Sequence, residues 1–216
     1  MYRLYISILV GLLVCVAIVV AFMRRDDCTV LRTIREGDTI IEIVDADCKE
    51  GLPHTTGPHT VRMTEDAWAS GRRATTMNHE HVHLDQKQRP DEWAEWYRRY
   101  WDYELLKSPP PDVPAKHVQA LRPNPDTSDA PWALWRRRYL FFPNYNSTRR
   151  SLRKADVLVW DIEQHTLVSP PPAWREFFCA DGPCPHQYEH PHEIAAEYTA
   201  EGSTTPAALK LFAWRT

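Results

Sequence analysis

The run His79-Glu80-His81-Val82-His83 constrains this chain more than any other stretch. On a helix, positions i and i+4 share a face, so His79 and His83 stand one turn apart with Glu80 beside them. On a strand, His79, His81 and His83 would share a face instead. The flanks GRRATTMN and LDQKQ carry no strand alternation, and glycine-rich turns that would frame a β-barrel metal face are missing. The expectation is therefore a helix from Thr64 to Gln88, with Thr64 and Glu65 near its start and Pro90 near its stop. A histidine-rich solvated helix that binds no metal is the plainer alternative.

The motif satisfies H-E-x-x-H. Two imidazoles one turn apart can bind one Zn²⁺. The glutamate that follows the first ligand faces the attacking water rather than the metal, where it can act as general base. A third ligand is needed. The x-x-G-x-x-H extension fails, because Gln86 and Arg89 occupy the Gly and His positions. A second helix, His190 to Gly202, offers Glu193 and Glu197 one turn apart, one to ligate and the other to orient a ligating histidine. His186, His190 and His192 are fallback ligands, since imidazole also suits zinc. An oxyanion donor is required too. Tyr188 is the first choice for it, with His190 and His192 behind.

Taken together, HEHVH and the later HEIAAEY resemble the gluzincin branch of the zincin metallopeptidases, in the anthrax lethal factor type. There a glutamate on a later helix completes an H-E-x-x-H site. The resemblance implies Glu193 as zinc ligand and Glu197 as the carboxylate that orients a histidine. It covers two short motifs, about a fifth of the chain. The blocks NHEHVHLDQKQRPDEW, RPNPDT and HPHEIAAEY also look similar to proteins of large DNA viruses and protists. One departure stands out: His83 and Glu193 are 110 residues apart, farther than is usual between such ligands. The intervening strands must then form an insertion that brings the last helix back.

Tyr5 to Met23 is 19 residues without a charge, the length of a membrane-crossing helix. The expectation is a retained single-pass anchor over residues 1–24, with a cleaved signal peptide as rival. Arg24, Arg25, Arg32 and Arg35 follow the run and only Arg3 precedes it, which favours an internal C-terminal domain. Cys28, Cys48, Cys179 and Cys184 argue the other way, because they fit two disulfides in an oxidising compartment. Asn146-Ser147-Thr148 is a glycosylation sequon. The side of the membrane stays open.

Charge is near balance, with 26 basic and 29 acidic residues, so nothing argues for nucleic acid. Trp93, Trp96, Tyr97, Tyr100 and Trp101 fall at helical spacing and predict an amphipathic helix from Asp91 to Leu106, packed on the motif helix. Strands are expected over Asp38–Cys48, Arg136–Tyr145 and Asp156–Leu167, and loops over Gly51–Thr60, Lys107–His117 and Val168–Trp174. The stretch Leu121–Trp135 reads as turn-rich. The fold expected is α+β: an N-terminal transmembrane helix, then one zincin-like domain over residues 25–216 with a small β-sheet insertion. The function expected is a membrane-anchored zinc metallopeptidase acting on a peptide or protein substrate. A membrane-anchored structural or interaction protein with a degenerate zincin-like domain, and a non-peptidase metal hydrolase, are the alternatives.

Overall fold

In a computed structural model, the described residues are 28–121, 124–144, 156–180 and 182–215. The chain opens with β1 (Val30–Glu36), β2 (Thr39–Val44), β3 (His54–Thr56) and β4 (Thr60–Thr64). These form one sheet in the order β1-β2-β4-β3. β2 and β4 run parallel, with Ile40 opposite Thr60 and Val44 opposite Thr64. β1 and β3 flank them antiparallel. Alternate residues Ile41, Ile43, Val61 and Met63 bury one face.

The helical layer follows: α1 (Glu65–Ala69), α2 (Arg73–Gln88) and α3 (Pro90–Tyr100). The single helix expected from Thr64 breaks in two. Thr64 caps α1, accepting from the Ala67 N–H at 3.3 Å, and the chain turns at Ser70-Gly71-Arg72 before α2 begins. Pro90 ends α2 and starts α3, as its missing N–H and fixed φ dictate. α3 is shorter than expected. Asp102 takes a left-handed φ of 57°, and Tyr103–Leu106 becomes strand β5.

β5 begins a second sheet. After α4 (Ala115–Ala120) come β6 (Trp132–Trp135), β7 (Tyr139–Asn144), β8 (Asp156–Asp161) and β9 (Thr166–Val168), ordered β5-β6-β7-β8-β9 and antiparallel throughout. The chain closes with α5 (Pro172–Phe178), α6 (Pro191–Glu201) and α7 (Pro206–Arg215). His190 caps α6, its Nδ1 accepting from the His192 N–H at 3.2 Å, and Gly202 ends it at φ 77°. β1, β3, β4, β6, α4, α5 and α7 are elements that the sequence reading did not place.

Two corrections concern the membrane and the fold class. No helix among the described residues is long and apolar enough to cross a membrane. The expected anchor, Tyr5–Met23, lies outside the described residues, as does the sequon Asn146–Thr148. A transmembrane helix followed by a domain with a small β insertion is therefore replaced by an α+β arrangement with two sheets of four and five strands. Cys28 pairs with Cys48, and Cys179 with Cys184.

The aromatic residues form the main core, beside and between these layers. Trp93, Tyr97, Trp101, Tyr103, Phe141, Trp174 and Phe178 are each no more than 1 % exposed. Three of the buried indoles in this core find acceptors: Trp101 Nε1 donates to the Ala207 carbonyl, Trp135 Nε1 to the Trp101 carbonyl, and Trp174 Nε1 to the Tyr103 hydroxyl. Helix α2 is shared between environments. Val82 enters this core, while Met77 and Leu84 pack on the four-stranded sheet. Its remaining buried polar side chains, Glu80, His83 and Gln86, define the site below.

Candidate metal centre

His79 and His83 lie one turn apart on α2, and their Nε2 atoms are 3.0 Å apart. Glu193, in the first turn of α6, brings Oε2 to 3.3 Å from His79 Nε2 and 3.4 Å from His83 Nε2. The residues separated by 110 positions are thus joined, because α6 packs directly on α2. His81, by contrast, is exposed, so the three-histidine strand face does not form. A tetrahedral ion bonded at about 2.0–2.2 Å keeps its donor atoms about 3.3–3.6 Å apart. The triangle of 3.0, 3.3 and 3.4 Å fits those edges, tight only between the histidines. Among the described residues a second trio, Cys28, Cys48 and His54, also converges, but its two sulfurs are joined in a disulfide.

The donor set is held from behind. Gln86 Nε2 donates to the Tyr97 hydroxyl at 3.0 Å and to the His192 carbonyl at 3.2 Å. A carbonyl can only accept, so Gln86 Oε1 is the end that meets His83 Nδ1, at 2.8 Å. His83 Nδ1 therefore carries a proton, and in the neutral ring Nε2 presents its lone pair to the centre. Glu193 Oε1 accepts from Asn124 Nδ2 at 2.9 Å. Burial would raise the Glu193 carboxyl, but His83 and His79 outweigh it and hold it well below the usual range. Burial likewise pushes His83 down, yet Glu193, with Asp126 and Glu80, lifts it to about 10.

Glu80 is 3 % exposed, and its Oε2 has no hydrogen-bond partner. Burial first, then Asp126, raises its carboxyl well above the usual range. It lines a cleft of about 890 Å³ together with His79, Glu193, Asn124 and Asp126. The loop Lys49–His54 forms one wall, and Glu189, Glu197 and Glu201 line the α6 side. Glu189 is buried, which together with Glu193 lifts it to about 8.

The other residues singled out in the sequence are placed elsewhere. Glu197 orients no histidine ring: its carboxylate accepts from the backbone N–H groups of His186, at 2.9 and 3.0 Å, and Gln187. Tyr188 packs on Trp174, with ring centroids 5.4 Å apart, and does not line the cleft. Both His190 nitrogens are engaged, Nδ1 as the α6 cap and Nε2 donating to the Ala130 carbonyl at 3.0 Å. His192 sits behind the centre against Tyr97, its ring nitrogens buried without partners. His186 lines the cleft away from the donor trio.

Gln86, Asn124, Asp126 and Lys87 were not singled out in the sequence. Gln86 was readable as the residue three positions after His83 on the same helix. Asn124 lies in the quoted RPNPDT, where Asn before Pro signals a turn but not what the turn holds. No protein-family model, curated protein or solved structure matches this chain.

Proposed function

We propose that the chain is a zinc-dependent hydrolase of peptide bonds. The observation that carries this reading is the meeting of His79, His83 and Glu193 at one point, beside the unpartnered Glu80 carboxyl oxygen in one cleft. A zinc ion held by those three residues would supply Lewis acidity toward a substrate carbonyl and toward water. Glu80 takes the proton of the attacking water at Oε2 and passes it to the leaving amine nitrogen. To do so it must be ionised, and positive charge at the neighbouring donors favours that form against the burial that opposes it. Gln86 holds His83 in the tautomer whose Nε2 faces the centre. The cleft between the Lys49–His54 loop and α6 receives the substrate chain.

Two considerations favour a catalytic over a structural metal. The converging group has three protein donors among the described residues, whereas structural zinc sites use four. A structural site also has no use for a buried carboxyl such as Glu80 beside the donors. The resemblance of HEHVH and HEIAAEY to gluzincins supports peptide hydrolysis over other amide or ester chemistry. The test is metal content of the purified protein. About one zinc per chain is expected, falling sharply in Glu193→Ala; wild-type protein that takes up no zinc would sink the proposal.

A further inference from the structure

The turn Asn124-Pro125-Asp126, between α4 and β6, reaches into the centre from outside both helices. Asn124 Oδ1 accepts from the Asp126 backbone N–H at 3.0 Å, and Nδ2 donates to Glu193 Oε1 at 2.9 Å. A backbone N–H can only donate, so it fixes which end of the Asn124 amide meets the carboxylate. The two oxygens of Glu193 are thereby divided: Oε1 belongs to Asn124, and Oε2 faces the histidines.

The turn is itself braced. Asp126 Oδ1 accepts from the Thr55 backbone N–H at 2.9 Å, from the Thr55 hydroxyl, and from Lys87 Nζ at 3.0 Å. Lys87 also donates to the Thr55 carbonyl at 2.9 Å. Thr55 lies on the edge strand β3, and Lys87 is four residues past His83 on α2. One turn thus ties the edge strand, the motif helix and the third donor together.

We infer that Asn124 is a positioning residue for the metal centre, holding Glu193 by one oxygen so that it serves as a one-oxygen ligand. The inference rests on the metal reading proposed above. A free glutamate carboxylate can rotate, exchange its oxygens or chelate with both. The Asn124 amide removes that freedom before an ion arrives, and it also satisfies an oxygen that is buried with the rest of the 1 % exposed side chain. A merely structural reading would make Asn124 a turn cap and nothing more. Serine separates the two roles: its hydroxyl can accept from the N–H two residues on, but it ends one bond earlier and cannot reach Glu193.

The experiment is zinc affinity of the full chain by competition with a chromophoric chelator, for wild type, Asn124→Ser, Asn124→Ala and each combined with Glu193→Ala. Losing a group that orients a ligand costs about 10–100-fold in affinity, so both single variants are expected to fall by that factor. Folding is checked by the melting of the zinc-free proteins. In the Glu193→Ala background the Asn124 changes should add nothing, because the carboxylate they act through is gone. Wild type that binds zinc while Asn124→Ser binds it equally well overturns this inference alone. The same loss with and without Glu193 also overturns it. Wild type that binds no zinc overturns this inference and the metal reading beneath it.

Discussion

Gln86 Oε1 accepts the Nδ1–H of His83 at 2.8 Å, and Gln86 is held in turn by Tyr97 and the His192 carbonyl. Gln86→Leu keeps the approximate shape but removes the acceptor. Zinc affinity is expected to drop about 10–100-fold, as for other partners of ligating histidines. Gln86→Glu restores an acceptor and should bind more tightly than Gln86→Leu. Equal affinity in wild type and Gln86→Leu, measured by chelator competition, would mean that the ring needs no such anchor.

The proton on His83 competes with metal. Burial alone would lower its pKa; Glu193 and its acidic neighbours instead raise it to about 10. Zinc uptake at pH 7.5 should then release about one proton from this ring, and affinity should strengthen as pH rises toward 10. Calorimetry in two buffers of different ionisation enthalpy reads the proton count. The sign for the metal-free chain follows the same shift. The His83 contribution is fully present below pH 6.5 and is lost as pH rises through about 10, whereas that of Glu193, held low, is present above the usual glutamate range and is lost on acidification.

Glu189 is raised as well, and its contribution to stability also falls as pH rises. Burial and Glu193 raise it from 4.5 to about 8, so over that window the folded chain holds a proton that the unfolded chain has released. Its contribution to stability therefore falls as pH climbs from 4.5 to 8. Glu189→Gln should gain on wild type across that range, by on the order of a few kcal/mol at pH 8 and little at pH 4.5. Denaturant unfolding of the zinc-free proteins at both pH values checks this. A difference independent of pH would place Glu189 in solvent.

Trp96 is 3 % exposed and meets Trp101 at 4.9 Å and Trp214 at 5.2 Å between ring centroids. Trp96→Ala should cost about 3–5 kcal/mol, read from chemical denaturation, because the cavity lies in close-packed rings. Wild-type stability in that variant would show that the stripe is a surface and not a core.

Local chemistry made the motif helix, the aromatic helix and α6 readable, since each carries its own period and end signals: Pro90 at one boundary, Pro191 and Gly202 at others. The three proposed zinc donors were legible for the same reason. What escaped were features decided by tertiary contact. β3 was hidden in GLPHTTGPHT, whose Gly and Pro read as loop, and pairing with β4, which itself pairs with β2, makes it strand. Trp132–Trp135 is buried on both faces and shows no alternation. Tyr103–Leu106 continued the aromatic stripe until Asp102 turned the chain. The carboxylate assigned to orient a histidine, Glu197, instead binds backbone N–H groups. That role falls to the neutral amide Gln86, whose chemistry gives no motif.

The most direct measurement of the central claim is a peptide-library digest by the full chain, with zinc quantified alongside, for wild type, Glu80→Gln and His83→Ala. Glu80 is not one of the three donors, and a Gln amide cannot accept a proton at neutral pH. Glu80→Gln should therefore keep its zinc and lose about 10²–10⁴-fold in cleavage. His83→Ala should lose zinc and cleavage together. Wild type that holds zinc yet cleaves nothing, or Glu80→Gln that cleaves as fast as wild type, would contradict the account.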